Sequence, residues 1–172
     1  MKKLIFVING CGGVGKDTLC AIAAKSFRVT NISSITPIKE IAALCGWQGD
    51  KSDRSRRFLS DLKRLTIQYN DYPTRWVYEQ YQKFLAGDDE ILFVHIREPE
   101  EIRKFVKRTE GRAKTLLIRG GRRFSRTQRH YGNHSDDDVE KYRYDYYFMN
   151  DKPLHEIEPQ FLTLLQERMS DL

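Results

Sequence analysis

One segment near the N-terminus limits the fold of this chain more than any other part. Residues 10–18 read GCGGVGKDT, after an apolar run at 4–8 and before a helical pattern of apolar residues. Strand, glycine loop, lysine and helix in this order are typical of the phosphate-binding P-loop. Glycines let successive backbone N–H groups turn around phosphate oxygens, and the helix N-terminus adds partial positive charge. The alternative is a glycine-rich turn with a lysine present by chance.

The spacing within this loop predicts a nucleotide site. We expect Lys16 to reach the β- and γ-phosphates of ATP as a point charge. The hydroxyl of Thr18 comes one place later than the Ser or Thr that directly follows the lysine in many P-loops. We therefore expect Thr18 and Asp17 near the phosphates and Mg²⁺. The predicted cofactors are ATP and Mg²⁺, and the predicted binding residues are Gly12, Gly13, Val14, Gly15, Lys16, Asp17 and Thr18.

Composition limits the class of protein. The chain has 172 residues, 40% of them hydrophobic, which favours one folded domain over 1–172. Its net charge of +6 suits a phosphorylated ligand or a nucleic acid. Three cysteines without metal or disulfide spacing favour reduced thiols and a cytoplasmic location. No segment is long enough to span a membrane, so we expect no membrane partner. The sequence does not give the oligomeric state.

Strand-like runs alternate with helical patterns along the chain, which predicts an α/β fold. We expect a three-layer P-loop NTPase fold, with a parallel sheet of about five strands, helices on both faces and a short arginine-rich lid. A helix with Phe58, Leu62, Leu65 and Tyr69 on its apolar face is predicted, and Pro159 is expected to interrupt the last helix. The predicted strands are 3–9, 27–34, 91–96, 114–118 and 144–149.

An arginine-rich segment follows the fourth predicted strand. Five arginines fall between positions 119 and 129, and no Asp or Glu occurs from Gly111 to Ser135. Because a guanidinium pairs with phosphoryl oxygens and stays charged, we expect a lid at 119–135 that closes over ATP. A solvated basic loop and a nucleic-acid patch are the alternatives. The predicted catalytic residues are Lys16, Arg119, Arg122, Arg123 and Arg126.

Residues at the end of the third predicted strand should lie near the ligand, because parallel sheets bind ligands beyond the carboxyl ends of their strands. Arg97 is therefore predicted to hold the acceptor phosphate, although a helix-capping or ion-pair role is the alternative. Lys39 and Arg57, in a basic helical region at about 36–87, are predicted to bind the same second substrate. His95 ends a buried strand and is either a hydrogen-bonded core histidine or an acid–base group.

Together these segments resemble the deoxynucleoside monophosphate kinases, in the nucleoside monophosphate kinase-like branch of the P-loop proteins. The resemblance spans nearly the whole chain, but only the P-loop is specific by itself. It rests on GKDT at 15–18, PIKEI at 37–41, GW at 46–47, RRFL at 56–59, WV at 76–77, IREPEE at 96–101, YDY at 144–146 and ND at 150–151. The resemblance implies a single kinase domain over 1–172.

Two positions depart from the family pattern. Thr36 stands where the family often has Asp, and His95 stands where it usually has Asp. Set against the resembled family, loss of that second acid implies altered Mg²⁺ binding, and either a changed acceptor or weak or absent kinase activity.

The sequence therefore predicts an ATP-dependent phosphotransferase acting on a (deoxy)nucleoside monophosphate or similar small phosphorylated acceptor. A non-catalytic nucleotide sensor and a nucleic-acid-linked ATPase or polynucleotide kinase are the alternatives. The expected partner is thus a small nucleotide, with nucleic acid less favoured.

Overall fold

Five parallel strands form one sheet in the order β2-β3-β1-β4-β5. The computed structural model describes residues 2–121 and 139–172. The predicted α/β class and parallel sheet are confirmed. The central strand β1 is buried along its whole length, as expected for an apolar strand covered on both faces. The strands are β1 (Leu4–Asn9), β2 (Val29–Ser33), β3 (Ile91–His95), β4 (Lys114–Gly120) and β5 (Tyr146–Asn150).

Helices connect β1 to β2, β2 to β3 and β3 to β4, as is usual for parallel pairing. The region between β2 and β3 contains three helices in succession, joined by short irregular segments. The helices are α1 (Lys16–Ala23), α2 (Thr36–Leu44), α3 (Asp53–Asn70), α4 (Tyr72–Ala86), α5 (Pro99–Arg108) and α6 (Leu154–Ser170), with a 3₁₀ turn at Val139–Lys141. Within the described ranges, no helix is both long enough and apolar enough to cross a membrane.

Alternate side chains of each strand point to opposite faces of the sheet, and each face has its own core. Phe6 of β1 belongs to the core that α1 and α6 cover, where Phe93 lies between Phe6 and Phe161 with ring centroids 6.4 Å from each. Val7, the next residue of β1, belongs to the opposite core under α4 and α5. The sheet is thereby held between two packed layers, and the P-loop follows directly from its central strand.

The prediction for α3 is wrong in one respect. Its supposed apolar face is not in the core, since Phe58, Leu65 and Tyr69 are 37%, 54% and 87% exposed. No residue of α3 is buried. The helix packs against α2 and α4 rather than against the sheet, so it never meets a continuous apolar layer.

The last helix is also continuous where an interruption was expected. Pro159 lies inside α6 and does not restart it. A proline removes one backbone donor and its ring crowds the carbonyl four residues earlier. Here that carbonyl belongs to His155, whose side chain is 79% exposed in the first turn, where water can take the lost partner's place. Buried Phe161 and Leu165 then hold the rest of the helix on the sheet.

The predicted start of the lid at Arg119 is wrong. Arg119 and Gly120 are the last residues of β4 rather than the first residues of a loop. Positions 122–138 lie outside the described residues, and they include Arg122, Arg123 and Arg126.

Candidate active site

The P-loop joins the end of β1 to the start of α1. Gly13 and Gly15 have φ angles of 77° and 91°, in the left-handed region that favours glycine. A Cβ built on Gly12 or Gly13 would meet nothing within 4 Å, and both residues are exposed. The loop backbone therefore faces open space, where successive N–H groups suit the oxygens of a phosphate chain.

Strand β4 and the end of β5 lie close to this loop. A Cβ on Gly10, whose φ is 151°, would stand 2.6 Å from the Ile118 carbonyl oxygen of β4. A Cβ on Gly15 would stand 2.5 Å from Nδ2 of Asn150, at the end of β5. That amide nitrogen donates a hydrogen bond to the Val14 carbonyl at 2.9 Å. The glycines are thus required by contact as well as by backbone angle.

Lys16 is half-buried and lies against its own loop. Its ammonium donates to the carbonyl oxygens of Gly10 at 2.6 Å and of Cys11 at 3.0 Å. These contacts hold the Lys16 ammonium, which is predicted to bind the phosphates, beside the P-loop backbone that would bind the nucleotide.

A buried asparagine links this loop to the end of β3. Asn9 is 0% exposed, and its Oδ1 accepts a hydrogen bond from the Gly10 N–H at 2.8 Å. Its Nδ2 donates to the Arg97 carbonyl at 3.1 Å and to the Tyr144 hydroxyl at 2.8 Å. The backbone of Arg97 is thereby tied to the start of the P-loop. Its side chain is exposed.

Tyr144 completes this buried arrangement. Its hydroxyl donates to the Val139 carbonyl at 3.0 Å, and burial raises its pKa to about 12. No site role is predicted from the sequence for Asn9, Tyr144 or Asn150. Their positions at or beside strand ends were the available signal, since Asn9 ends β1 and Asn150 ends β5.

His95 lies beside the first turn of α1 as a neutral imidazole. Its Nε2 is 2.8 Å from Asn31 Oδ1, so this nitrogen carries the hydrogen and donates, and it is 3.8 Å from Cys20 Sγ. Burial lowers the pKa of His95 to about 4, against the opposing charge of Asp17 and with the help of Lys16 and Arg97.

The Cys20 thiol beside His95 is not a ready nucleophile. Burial raises the pKa of Cys20 to about 12, with a smaller contribution from Asp17. A thiol with so high a pKa stays protonated at neutral pH, and only the thiolate attacks or binds metal.

Arg119 is held by a carboxylate. Its Nε and Nη2 donate to the two oxygens of Glu140 at 3.1 and 2.7 Å, and its guanidinium stands 4.6 Å from the centroid of the Tyr147 ring. A bidentate pair of this kind fixes the plane of the guanidinium.

Lys39 in α2 and Arg57 in α3 are exposed. Contacts among the described residues connect Arg97 to the P-loop, but they do not connect Lys39 or Arg57 to it.

Asp17 and Thr18 are the candidates for a metal. Both are exposed in the first turn of α1. Among the residues that the structure describes, no group of three His, Cys, Asp or Glu side chains could enclose an ion. Mg²⁺ commonly takes one or two protein ligands and completes its shell with phosphate oxygens and water. Asp17 and Thr18 therefore fit a metal that a nucleotide brings with it, and they do not form a separate cage.

Solved structures of similar fold span nearly the whole chain. Dephospho-CoA kinase from Campylobacter jejuni is 17% identical with a TM-score of 0.63 and coverage of 99% of each chain. The tunicamycin resistance protein of Deinococcus radiodurans is 12% identical with a TM-score of 0.60, covering 95% of this chain and 96% of that one. Shikimate kinase from Aquifex aeolicus is 9% identical with a TM-score of 0.54, covering 96% and 98%. No protein-family model and no curated protein matches the chain. Identities this low show shared architecture, and the chain has the α/β P-loop fold of these structures.

Proposed function

We propose that this protein is an ATP-dependent phosphotransferase whose acceptor is a (deoxy)nucleoside monophosphate or a similar small phosphorylated molecule. The observation that carries the proposal is the hydrogen-bonded path from Gly10 through Asn9 to Arg97. It ties the backbone of a cationic strand-end residue to the start of the P-loop. Transfer between two phosphates needs the donor and acceptor held side by side, and this arrangement supplies both positions.

The donor half of the site is the better defined. The backbone at 12–18 would hold the ATP phosphates, with Lys16 neutralising their charge. Asp17 and Thr18 would hold Mg²⁺, which supplies charge neutralisation at the transferring phosphoryl group. Two of the similar structures are named as kinases of small molecules, which supports this half of the proposal.

The acceptor half rests on Arg97, with Lys39 and Arg57 as further cations on the helices between β2 and β3. A phosphate acceptor arrives already ionised, so it needs no strong general base. His95 agrees with this requirement, because burial lowers its pKa to about 4 and makes its imidazole a weak base. The lid arginines, Arg119, Arg122, Arg123 and Arg126, would clamp the transferring group. Arg119 would have to leave Glu140 to take part.

A non-catalytic nucleotide-binding protein is the second candidate. It is favoured by His95, which puts an imidazole where the resembled family usually has a carboxylate, and by the small set of metal ligands near the loop. Such a protein would bind ATP but would transfer no phosphoryl group.

One experiment separates these two. Purified protein is given ATP, Mg²⁺ and each of a panel of ribo- and deoxynucleoside monophosphates, and ADP release is followed while ATP binding is measured by calorimetry. The kinase proposal requires acceptor-dependent ADP release that Lys16→Ala removes. Lys25→Ala is the matched control, because Lys25 lies beyond α1 and pairs with Glu158. ATP binding without turnover across the panel would establish the nucleotide sensor instead.

A nucleic-acid-linked activity is tested by measuring affinity for nucleic acid at different salt concentrations. Binding through phosphate contacts weakens steeply as salt concentration rises, because cations displaced from the nucleic acid return to it. Affinity for single- or double-stranded DNA that does not change between 50 and 200 mM salt would remove this alternative.

A further inference from the structure

Two glutamates at the start of α5 lie against one lysine of α3. Lys63 Nζ is 2.8 Å from Glu98 Oε2 and 2.9 Å from Glu101 Oε2, so two carboxyl groups share a single ammonium. The side chains of Lys63 and Glu101 are only 12% and 6% exposed. We call these three residues the Lys63 cluster. No role is predicted for the cluster from the sequence, although IREPEE at 96–101 contains both glutamates.

The two carboxyl groups also contact each other. Glu98 and Glu101 are joined by a side-chain hydrogen bond. An ionised carboxylate can only accept, so one of the two groups must carry a proton in order to donate. Glu101 Oε1 is buried and receives no hydrogen bond from any described residue. Burial of this kind is costly for an ionised carboxylate and much less so for a protonated one.

The charges within the cluster agree with one proton between the two glutamates. Burial raises the pKa of Glu101 to about 7, and the Glu98 carboxylate adds to the effect against Lys63. Burial also opposes ionisation of Glu98, but Lys63 and the hydrogen bond with Glu101 hold the pKa of Glu98 below its ordinary value. Two carboxyl groups in one site thus divide into one ionised and one protonated group, as like charges at close range require.

Charged groups on the neighbouring helices form pairs of their own. These pairs are Arg64–Asp61 within α3, Lys104–Asp71 between α5 and α4, and Arg103–Glu100 within α5. The charges that act on Glu101 are those of Lys63 and Glu98. Titration of the cluster is therefore set by its own three members.

The cluster joins the middle of a weakly attached helix to the start of α5. No residue of α3 is buried, so little apolar packing holds this helix in place. Segments with few buried contacts open locally at low cost in free energy. A change in the charge of the Lys63 cluster should therefore change how often α3 opens.

We propose that Glu98 and Glu101 share one proton and that, with Lys63, they form a pH-sensitive clamp that holds α3 against the start of α5. With the proton bound, one carboxylate balances one ammonium, and the protonated carboxyl group donates to the carboxylate. When the proton passes to solvent, two carboxylates face each other across one cation and α3 is released more easily. Because α3 carries Arg57, its release would act on the side of the site that is predicted to bind the acceptor.

The direction of the pH dependence follows from the closed and open states of α3. Glu101 is harder to ionise in the closed state, so it stabilises that state at low pH, and this contribution is lost as the pH rises through about 7. We expect the opening equilibrium of α3 to increase about tenfold to a hundredfold between pH 5.5 and pH 8.

Hydrogen exchange of the α3 backbone amides measures this opening in the full chain without any substrate, after correction for the intrinsic effect of pH on exchange. Glu101→Gln should keep α3 closed at both pH values, because the amide donates to Glu98 as the protonated carboxyl group does. Glu98→Gln should have the same effect by donating to Glu101. Glu100→Gln is the matched control: this carboxylate is 70% exposed and pairs with Arg103, so the pH dependence should persist.

NMR of labelled glutamate carboxyl carbons observes the proton in the wild type alone. One glutamate should titrate near pH 7. Because the proton is shared, this titration should disappear in Glu98→Gln as well as in Glu101→Gln. A titration near pH 7 that persists in Glu98→Gln would mean an isolated buried acid and would overturn the shared proton.

Two further results would overturn the clamp. One is a wild type in which no glutamate titrates above pH 6, and the other is an opening of α3 that is the same at pH 5.5 and pH 8. Both measurements are made without ATP or acceptor, so failure of the proposed phosphotransferase activity would not affect them.

Discussion

The side-chain amide of Asn150 stands 2.5 Å from the position that a Cβ on Gly15 would occupy. The end of β5 therefore contacts the P-loop, and the same amide donates a hydrogen bond to the Val14 carbonyl of the loop. Because only glycine leaves room for this contact, the shape of the phosphate-binding loop depends on a strand that lies two places away in the sheet.

Gly15→Ala should weaken ATP binding and lower stability by about 2 kcal/mol or more. An alanine here would be strained at φ 91° and would also clash with the Asn150 amide. The backbone strain alone costs about 1 kcal/mol or more. Urea unfolding measures the stability, and calorimetry measures the affinity for ATP.

Gly49→Ala is the control for the strain alone, because Gly49 has a φ of 86° with nothing within 4 Å of an added Cβ. The double variant Gly15→Ala/Asn150→Ala removes the clash and should recover part of the loss. An equal cost for the Gly15 and Gly49 variants would show that the contact with Asn150 does not matter.

Tyr144→Phe should destabilise the protein by about 1–3 kcal/mol. The change removes a hydroxyl that accepts from Asn9 and donates to the Val139 carbonyl, which leaves two buried polar groups short of a partner. Tyr142→Phe is the control, because the Tyr142 hydroxyl makes no hydrogen bond to the described residues. Both are compared by urea unfolding. If the two variants lose the same stability, Tyr144 does not act through these hydrogen bonds.

Local patterns predicted most of the sheet and the P-loop correctly. The apolar residues at 91–94 and 116–118 lie buried in β3 and β4, because a strand covered on both faces needs apolar residues at successive positions. The glycine spacing at 10–15 predicted a backbone that the structure shows with positive φ at three glycines.

Contacts between distant segments could not be predicted in the same way. The apolar spacing of Phe58, Leu65 and Tyr69 predicts a buried face only if a core lies opposite, and the position of α3 beside α2 and α4 supplies none. Asn9 and Tyr144 are 135 residues apart in the chain, and the sequence around either position does not predict their hydrogen bond. Lys63 and Glu101 are 38 residues apart and likewise pair only in the folded chain.

His95→Gln should make stability less sensitive to acid. A histidine with a folded pKa of about 4, below its ordinary 6.5, is protonated more readily in the unfolded chain. Its contribution to stability is complete above pH 6.5 and is lost as the pH falls towards 4. The wild type should therefore lose about 2–3 kcal/mol relative to the variant over this window.

Urea unfolding of both proteins at intervals from pH 7.5 to 4 checks this expectation. Glu101 titrates in an overlapping window with the opposite sign, since its raised pKa destabilises the fold as pH rises, but it is common to both proteins and cancels in the difference. A difference in stability that does not change with pH would mean that His95 is not held neutral by its burial.

Lys63→Met should destabilise the protein by about 3–5 kcal/mol at pH 8, because it leaves the Glu98 and Glu101 carboxylates without their shared cation. Lys63 lowers the pKa of both carboxyls, so both should titrate higher in the variant. A raised carboxyl pKa gives stability at low pH that is lost as pH rises. The cost should therefore be smaller at pH 5 than at pH 8 in urea unfolding.

Lys25→Met is the control, because Lys25 is 60% exposed in its pair with Glu158 and its replacement should cost no more than about 1 kcal/mol. Lys63→Met/Glu101→Gln should recover part of the loss, and a cost that is equal at both pH values would show that the two carboxyls do not depend on Lys63.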